Sequence, residues 1–265
     1  MTETAMPHRL CVTVLMALTV SLASTAALAA DAKKTAGSFV EDFDSLDADR
    51  WYVSDGWSNG DHQNCTWSKD QVSIDGGKLE LGFVKQKAGE RDYACGEIQT
   101  KARYGYGTYE IRMKAGTGSG LNSAFFSYIG DADKQPHDEI DFEVLGKNTE
   151  QVQLNQYISG KGGNEKLVPV SGGADKGYND YAFTWEKDRI RYFVNGKLVH
   201  EVTDKSKIPT HEQKIFMSLW GTDTLASWMG AFSYNGPTNM MVDRVAFTAL
   251  GDSCQFPQSV VCKLN

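Results

Sequence analysis

Two adjoining hairpin signals constrain the fold of this chain more than any other feature. In RIRYFVNGKLVHEV (189–202), apolar and polar residues alternate on both sides of Asn195-Gly196, the dipeptide favoured in type I′ turns. The run YAFTWEKDRIRYFV (181–194) alternates in the same way around Lys187-Asp188. Because successive side chains of a strand point to opposite faces, this region predicts three consecutive antiparallel strands.

The same two-residue period recurs along the chain, in residues 107–115, 151–158 and 214–220. Nowhere do twelve consecutive residues show the spacing of an amphipathic helix, and 26 glycines punctuate the short alternating runs. Many short strands with scarce helix predict an all-β fold, either an antiparallel sandwich or a barrel. At this length a jelly-roll β-sandwich is the favoured alternative.

Residues 1–30 have the pattern of a secretory signal peptide. Arg9 supplies a positive charge ahead of an apolar stretch, and Ala27-Leu28-Ala29 provides a cleavage site. The alternative is an N-terminal membrane anchor, but small residues crowd the second half of the stretch. We therefore expect a secreted protein, extracellular or periplasmic. Residues 31–265 are predicted to form a single domain, because no repeat, low-complexity tract or linker divides them.

The charge of the chain bears on its partners. The formal net charge is -7 at pH 7, and loss of residues 1–30 leaves it unchanged because Glu3 and Arg9 cancel. A mildly acidic, exported protein is a poor candidate for binding nucleic acid or an anionic membrane. No stretch outside the signal is long and apolar enough to cross a bilayer. We expect a monomer that acts on neutral or bulky extracellular material.

Four cysteines remain after removal of the signal, which suggests two disulfides in an oxidising compartment. Sequence alone allows three pairings. We favour Cys65–Cys95 and Cys254–Cys262, because each pair brackets a self-contained segment. The competing interpretation is a zinc site, which the absence of a C-x-x-C motif or clustered histidines disfavours.

The stretch HDEIDFEVLG (137–146) places Glu139, Asp141 and Glu143 at every second position. In a strand these acids share one face, and the apolar residues between them share the other. Such a pattern can simply be a solvated strand face. However, four acids occur within six residues without a basic residue among them. This crowding of like charges favours a chemical role.

Hydrolysis of a glycosidic bond is one reaction that needs two carboxyl groups, held roughly 5–5.5 Å apart in retaining enzymes and roughly 6.5–9.5 Å apart in inverting ones. Residues i and i+4 of a strand are about 13 Å apart at the backbone. Two glutamates on a concave face could lean inward across Asp141, which would orient one of them and raise the proton affinity of both. The spacing permits a retaining pair but does not choose between the two mechanisms.

HDEIDFE resembles the active-site signature of glycoside hydrolase family 16, E-[ILV]-D-[IVF]-E, in the form without the extra residue that some members carry. The likeness continues through most of the chain after the signal, to bacterial 1,3-1,4-β-glucanases (lichenases) and especially to the succinoglycan depolymerases of exopolysaccharide-producing bacteria. The segments that carry it are NCTWSKDQVSIDGGKLELGF, CGEIQTKARYGYGTYEIRMKA, SAFFSYIG, NQYISGKGGNEK, YAFTWEKDRIRYFVNGKLVH and IFMSLWGTDTLASWMGAF.

The resemblance implies a concanavalin A-like jelly roll of two curved antiparallel sheets with a cleft across the concave face. It also implies a retaining double displacement without a catalytic cofactor. By position in the motif, Glu139 would be the nucleophile and Glu143 the general acid and then base. Asp141 would assist between them.

The resemblance further implies residues that line the polysaccharide substrate. Trp220 would lie against a sugar, although a tryptophan here could equally belong to the sandwich core. Alternation puts Phe126 with Tyr128, and Asn155 with Tyr157, on common faces. The complete set of expected substrate-lining residues is Asn64, Glu97, Phe126, Tyr128, His137, Asn155, Tyr157 and Trp220.

Three positions depart from the lichenase pattern. His137 stands where lichenases tend to have tryptophan, Gln99 replaces an arginine, and Ser218 replaces an asparagine. These departures favour a decorated polysaccharide of the succinoglycan type over plain lichenan. HDEIDFE also occurs in plant xyloglucan transglycosylases, although the residues that follow it are of the bacterial glucanase kind.

A structural calcium ion is common in this family, and Asp243 in MMVDRVAF matches its aspartate ligand. The Gly76-Gly77 turn could add a backbone carbonyl, and calcium prefers such oxygen ligands. The alternative for Asp243 is a salt bridge or a plain surface position. A calcium ion bound there would play no part in catalysis.

The sequence therefore predicts a secreted endo-β-glycanase. The first alternative is a non-catalytic, lectin-like sandwich that binds polysaccharide in the same cleft. The intact acidic trio argues against it, because binding alone needs no paired glutamates. The second alternative is a transglycosylase, in which a sugar hydroxyl rather than water resolves the glycosyl-enzyme.

Overall fold

The alternating runs that predict strands are strands in the computed structural model, which describes Met1 and residues 36–264. The predicted signal peptide lies outside the described residues, apart from Met1. Residues 36–264 belong to one compact unit. Sixteen strands lie in this part of the chain: β1 (Phe39–Glu41), β2 (Trp51–Val53), β3 (Cys65–Trp67), β4 (Val72–Asp75), β5 (Lys78–Val84), β6 (Tyr93–Thr100), β7 (Gly107–Lys114), β8 (Leu121–Ile129), β9 (Asp138–Leu145), β10 (Gln151–Tyr157), β11 (Lys166–Pro169), β12 (Asn179–Glu186), β13 (Arg189–Val194), β14 (Lys197–Val202), β15 (Lys214–Gly221) and β16 (Thr238–Ala249).

The strands form two sheets that meet at β6. The first sheet has the order β11-β10-β9-β8-β15-β6, with β2 also paired to β6. The second has the order β5-β16-β7-β12-β13-β14, with β1 on β16 and β4 on β5. Strand β6 joins them because it pairs with both β15 and β5. All of these pairs are antiparallel. Strand β3 also pairs with β6, and this pair is parallel. This is the predicted all-β, jelly-roll sandwich.

Both predicted hairpins are present. Strands β12 and β13 pair up to Glu186 opposite Arg189, and β13 and β14 pair up to Val194 opposite Lys197. Asn195 and Gly196 have φ values of 49° and 74°. Two central residues with positive φ are what a type I′ turn requires, and asparagine and glycine adopt this conformation most readily.

Helix is scarce, as predicted. The described residues contain one short α-helix, α1 (Ala226–Met229). None of their helices is long and apolar enough to cross a membrane. Four short 3₁₀ helices span Lys69–Gln71, Asp131–Asp133, Lys205–Lys207 and Val260–Lys263.

The apolar side of β9 is anchored in the core between the sheets. Its Ile140, Phe142 and Val144 are fully buried. The Phe142 ring lies 5.5 Å from the rings of both Tyr181 and Tyr192 of the second sheet. Full burial of one such side chain stabilises a fold by about 1.5–3 kcal/mol. A shift of β9 by one residue would expose this face, so packing also fixes where the acidic face points.

Both predicted disulfides are present. Cys65–Cys95 joins β3 to β6 with a Cα–Cα distance of 5.8 Å, and both residues are fully buried. Cys254–Cys262 closes a loop near the carboxyl terminus with a Cα–Cα distance of 5.2 Å. The pairing expected from the bracketed segments is thus confirmed.

Candidate active site

The acidic face of β9 is flanked in register by the strands on either side. Glu139 pairs with Tyr128 of β8 and Tyr157 of β10, and Asp141 pairs with Phe126 and Asn155. Directly paired residues of a sheet point to the same face. The acids therefore share one surface with aromatic and amide side chains, as the face of a sugar-binding cleft requires.

A cleft of about 540 Å³ lies over this surface. It brings together the acidic trio and five of the eight expected substrate-lining residues. Strands β6 and β15 supply its other wall, where Ser218 pairs with Glu97 and Phe216 with Gln99. The expected residues that line it are Glu97, Phe126, Tyr128, His137 and Trp220.

The other three expected residues lie beside or beneath the cleft rather than lining it. Asn155 is 1% exposed, and its Oδ1 accepts a hydrogen bond from the backbone N–H of Asn164. Tyr157 stacks behind the ring of His137. Asn64 is buried and donates its backbone N–H to Gly221 O, next to Trp220. For these three, direct contact with a sugar stays a prediction.

Glu143 has the environment of a proton donor. Burial, followed by the negative charge of Glu139, raises its pKa to about 8. The side-chain amide of Asn122 donates to Oε1 at 2.9 Å, and the amide of Gln153 lies 3.4 Å from Oε2. These contacts orient the carboxyl group. A carboxyl with this pKa holds its proton at neutral pH.

Asp141 is 3% exposed between the two glutamates. Burial raises its pKa well above the ordinary value, and the charges of Glu139 and Glu143 and a hydrogen bond with Glu139 add to the effect. A neutral Asp141 can donate its proton in that hydrogen bond. It thereby orients Glu139 without adding a second negative charge beside it.

Glu139 receives a second contact that the sequence reasoning did not foresee. The Nε2 atom of His137 lies 2.6 Å from its Oε2 atom. His137 is expected to contact substrate, and it lines the cleft. The spacing of His137 and Glu139 could have indicated this contact, because residues two apart in an extended chain lie on one face.

Other cleft residues were also missed. Trp57, His62, Lys214 and Phe216 line the cleft. The Phe216 ring stacks on Phe126 with centroids 4.9 Å apart. Phe216 could have been found from alternation, because it lies two residues before Ser218 on the same strand. Trp57 and His62 lie outside the strands, where no periodicity marks them.

Comparison with known proteins agrees with this geometry. The family profile of glycosyl hydrolases family 16 matches residues 59–236. The chain belongs to this family. It is 69% identical over 228 residues to the endo-1,3-1,4-beta-glycanase ExoK of Rhizobium meliloti (strain 1021), covering 86% of this chain and 85% of that protein.

More distant relatives of this family 16 glycoside hydrolase show the same likeness. The beta-glucanase of Bacillus subtilis (strain 168) is 37% identical over 244 residues, which cover 92% of this chain and 99% of the relative. The solved structure of Bacillus licheniformis beta-glucanase superposes with a TM-score of 0.78 at 38% identity, covering 81% of this chain and 99% of that one. The predicted family and the predicted fold are both confirmed.

Trp220 of this family 16 hydrolase is half-buried and lines the cleft. The ring of His62 meets it edge-on with centroids 5.7 Å apart, and Trp228 lies 6.1 Å away. Trp220 packs against the core and also lines the cleft, so it has features of both the substrate-lining and the core alternative. An aromatic ring held in this way is suited to the apolar face of a sugar.

The expected calcium ligand lies on the other sheet, in β16. Asp243 Oδ1 contacts Lys78 Nζ at 2.6 Å, and Oδ2 contacts Arg112 Nε at 3.1 Å. Although burial opposes it, these cations hold the pKa of Asp243 below its ordinary value. Within the described residues, no group of three or more His, Cys, Asp or Glu side chains could hold a metal ion. A carboxylate already paired with two cations does not fit a calcium site, so the salt-bridge alternative describes Asp243.

Proposed function

We propose that this protein is a secreted, retaining endo-β-glycanase that hydrolyses internal bonds of a mixed-linkage 1,3-1,4-β-glucan or of a succinoglycan-like exopolysaccharide. The observation that carries the proposal is the difference in environment along β9. Glu143 has a pKa raised to about 8, whereas Glu139 is held by donors and opens on the same cleft. Two carboxyl groups with distinct environments are what acid-assisted glycoside hydrolysis needs.

The roles follow from these environments. Glu143 gives its proton to the leaving glycosidic oxygen while a carboxylate oxygen of Glu139 bonds to the anomeric carbon. Glu143, now a carboxylate, then takes a proton from water, and the water oxygen displaces Glu139 from the sugar. The environment of Glu143 suits this alternation, because burial and the charge of Glu139 favour its protonated form, whereas the hydrogen bond from Asn122 favours the carboxylate.

The family supports the substrate class. ExoK, a relative at 69% identity, is named an endo-1,3-1,4-beta-glycanase, and the Bacillus relatives are named beta-glucanases. A cleft of about 540 Å³ that is lined by aromatic rings and polar groups suits a polysaccharide chain. Export is supported by the signal-like sequence of residues 1–30.

The choice of an exopolysaccharide over lichenan is supported by the three departures from the lichenase pattern. Gln99, Ser218 and His137 all line the cleft, so each is available to a bound chain. Gln99 and Ser218 are smaller than the arginine and asparagine of the lichenase pattern, and Gln99 carries no charge. They leave room beside the sugar for a substituent. This is why a decorated glycan is the preferred substrate.

A digest of lichenan, laminarin, xyloglucan and purified succinoglycan tests the proposal, with reducing ends counted and product linkages analysed. We expect internal cleavage, fastest on succinoglycan and measurable on lichenan, and almost no activity in Glu139→Gln. Binding without new reducing ends would indicate a lectin. Products longer than the substrate, when an acceptor oligosaccharide is added, would indicate a transglycosylase. Much faster cleavage of lichenan than of succinoglycan would contradict the preferred substrate.

A further inference from the structure

His137 and Glu139 form a hydrogen-bonded pair at the start of β9. The imidazole Nε2 and the carboxylate Oε2 are 2.6 Å apart, which is short for a contact between nitrogen and oxygen. The His137 side chain is 36% exposed and that of Glu139 is 19% exposed, so both remain open to the cleft. The pair therefore lies where a substrate would bind.

The imidazole ring is held in one orientation by its neighbours. Tyr157 stacks on it with centroids 4.9 Å apart and an angle of 16°, and Tyr128 meets it edge-on at 5.1 Å. These two tyrosines are the residues that pair with Glu139 in the sheet. The backbone carbonyl of His137 also accepts the N–H of Gly160 at 2.8 Å. Both the ring and its carboxylate partner are thus fixed by the same three strands.

The surrounding charges favour an imidazolium. The hydrogen bond with Glu139 raises the pKa of His137, burial opposes this, and the charges of Asp138 and Asp131 add to the increase. Asp138 belongs to β9 and Asp131 to the 3₁₀ helix that follows β8. The groups that face the ring from β8 and β10 are the tyrosine side chains already described.

We propose that His137 is a positioning residue for the nucleophile, an inference that rests on the proposed role of Glu139. Its Nε2–H occupies Oε2 of Glu139, which leaves Oε1 to bond to the anomeric carbon. As that bond forms, the glycosidic bond breaks and Glu143 protonates the leaving oxygen. In the second step the electron pair of the sugar–Glu139 bond returns to the carboxylate, which His137 stabilises. His137 keeps its proton throughout.

The test compares two substitutions of His137. His137→Phe keeps an aromatic ring between the tyrosines but removes the donor, whereas His137→Gln keeps a donor but removes the charge. His200→Phe is the matched control: this histidine also stacks on a tyrosine, Tyr192, at 6.0 Å, but it lies on β14 and pairs with no carboxylate of residues 36–264. The readouts are kcat, KM and the pH profile of kcat/KM on the best polysaccharide of the panel.

We expect His137→Phe to lower kcat about 10- to 100-fold with little change in KM, as loss of a charge-assisted hydrogen bond would. In the pH profile of kcat/KM, this variant should lack the dependence that deprotonation of His137, whose pKa is raised, gives the wild type. His137→Gln should recover part of kcat, and His200→Phe should leave all three readouts unchanged.

A His137→Phe enzyme that keeps kcat and the pH profile of the wild type, with only KM raised, would show that His137 is a sugar platform and would overturn the inference. If circular dichroism shows that the phenylalanine variant does not fold, the glutamine variant decides. A kcat below that of the wild type supports the inference, and an unchanged kcat with a raised KM overturns it. Glu139→Gln separates this inference from the proposed function. Full activity in that variant removes the proposed nucleophile itself, whereas an inactive Glu139→Gln with an unaffected His137→Phe removes only the role of His137.

Discussion

The side-chain amide of Asn122 on β8 donates a hydrogen bond to Oε1 of Glu143 on β9 at 2.9 Å. This bond lowers the pKa of Glu143, against the larger effect of burial and the charge of Glu139, which together raise it to about 8. Asn122 therefore helps to set the pH at which the proposed general acid loses its proton.

The free enzyme must hold this proton to act, so kcat/KM should fall as pH rises through about 8. Asn122→Ala removes a donor that favours the charged form, so its basic limb should move to higher pH. Asn239→Ala is the matched control, because that amide donates to Glu80 at 2.8 Å on the other sheet. An unmoved basic limb in Asn122→Ala would mean that Glu143 does not set it.

Glu97 is predicted to lower the stability of the folded protein as pH rises, because it is buried in the wall of the cleft. It is 2% exposed, the Ser54 hydroxyl donates a hydrogen bond to its Oε1 at 2.7 Å, and burial raises its pKa to about 8. Between its ordinary pKa of 4.5 and about 8, the folded protein binds more protons than the unfolded chain, so stability falls as pH rises.

Glu97→Gln removes this dependence. At pH 8 we expect the variant to be more stable than the wild type by about 2 kcal/mol or more, a rise of about 4–8 °C in Tm. Near pH 4.5 the difference should vanish, which makes the acidic measurement an internal control. Thermal unfolding followed by circular dichroism at both pH values is the measurement, and a constant difference between them would contradict the account.

The two disulfides should contribute unequally. Cys65–Cys95 spans 30 residues and Cys254–Cys262 spans 8. Loop-closure entropy then gives about 3.6 kcal/mol for the first and about 2.5 kcal/mol for the second. Paired Cys→Ala substitutions should therefore lower the free energy of unfolding more at Cys65–Cys95. Denaturant titration of both variants tests this, and a larger loss at the terminal loop would contradict it.

Asp243 should stabilise the fold as an ion pair and not as a metal ligand. Its partners Lys78 and Arg112 are partly exposed, so Asp243→Asn should cost only about 0.5–1 kcal/mol. Because the pKa of Asp243 is depressed, its contribution is present above the unfolded value of 3.8 and is lost as pH falls below it. Added chelator or millimolar calcium should leave Tm unchanged, with Asp75→Asn as an exposed control. A calcium-dependent rise in the wild type that Asp243→Asn abolishes would reverse this assignment.

Much of the fold could be predicted because alternation is a local property. The hairpin at Asn195-Gly196 and the opposed faces of β9 are set by residues adjacent in sequence. Ile140, Phe142 and Val144 identify the buried face by composition alone. The signature around Glu139 and Glu143 then placed the acids on the opposite face.

The remainder depends on which strands become neighbours, and local patterns do not encode this. Asn122 reaches Glu143 only because β8 lies beside β9. Lys78 and Asp243 are 165 residues apart in sequence and meet only because β5 pairs with β16. The hydrogen bond from Asn164 to Asn155 is a further contact that strand alternation could not show.

The assignment of Glu139 as nucleophile is the central claim, and covalent trapping tests it most directly. An activated 2-deoxy-2-fluoro β-glycoside of the preferred oligosaccharide should form a glycosyl-enzyme faster than it is hydrolysed, because its leaving group is good and fluorine slows both steps. After proteolysis, mass spectrometry should find the sugar on Glu139 in the peptide that contains HDEIDFEVLG. A label on Glu143 instead, or no label together with products of inverted configuration, would contradict the account.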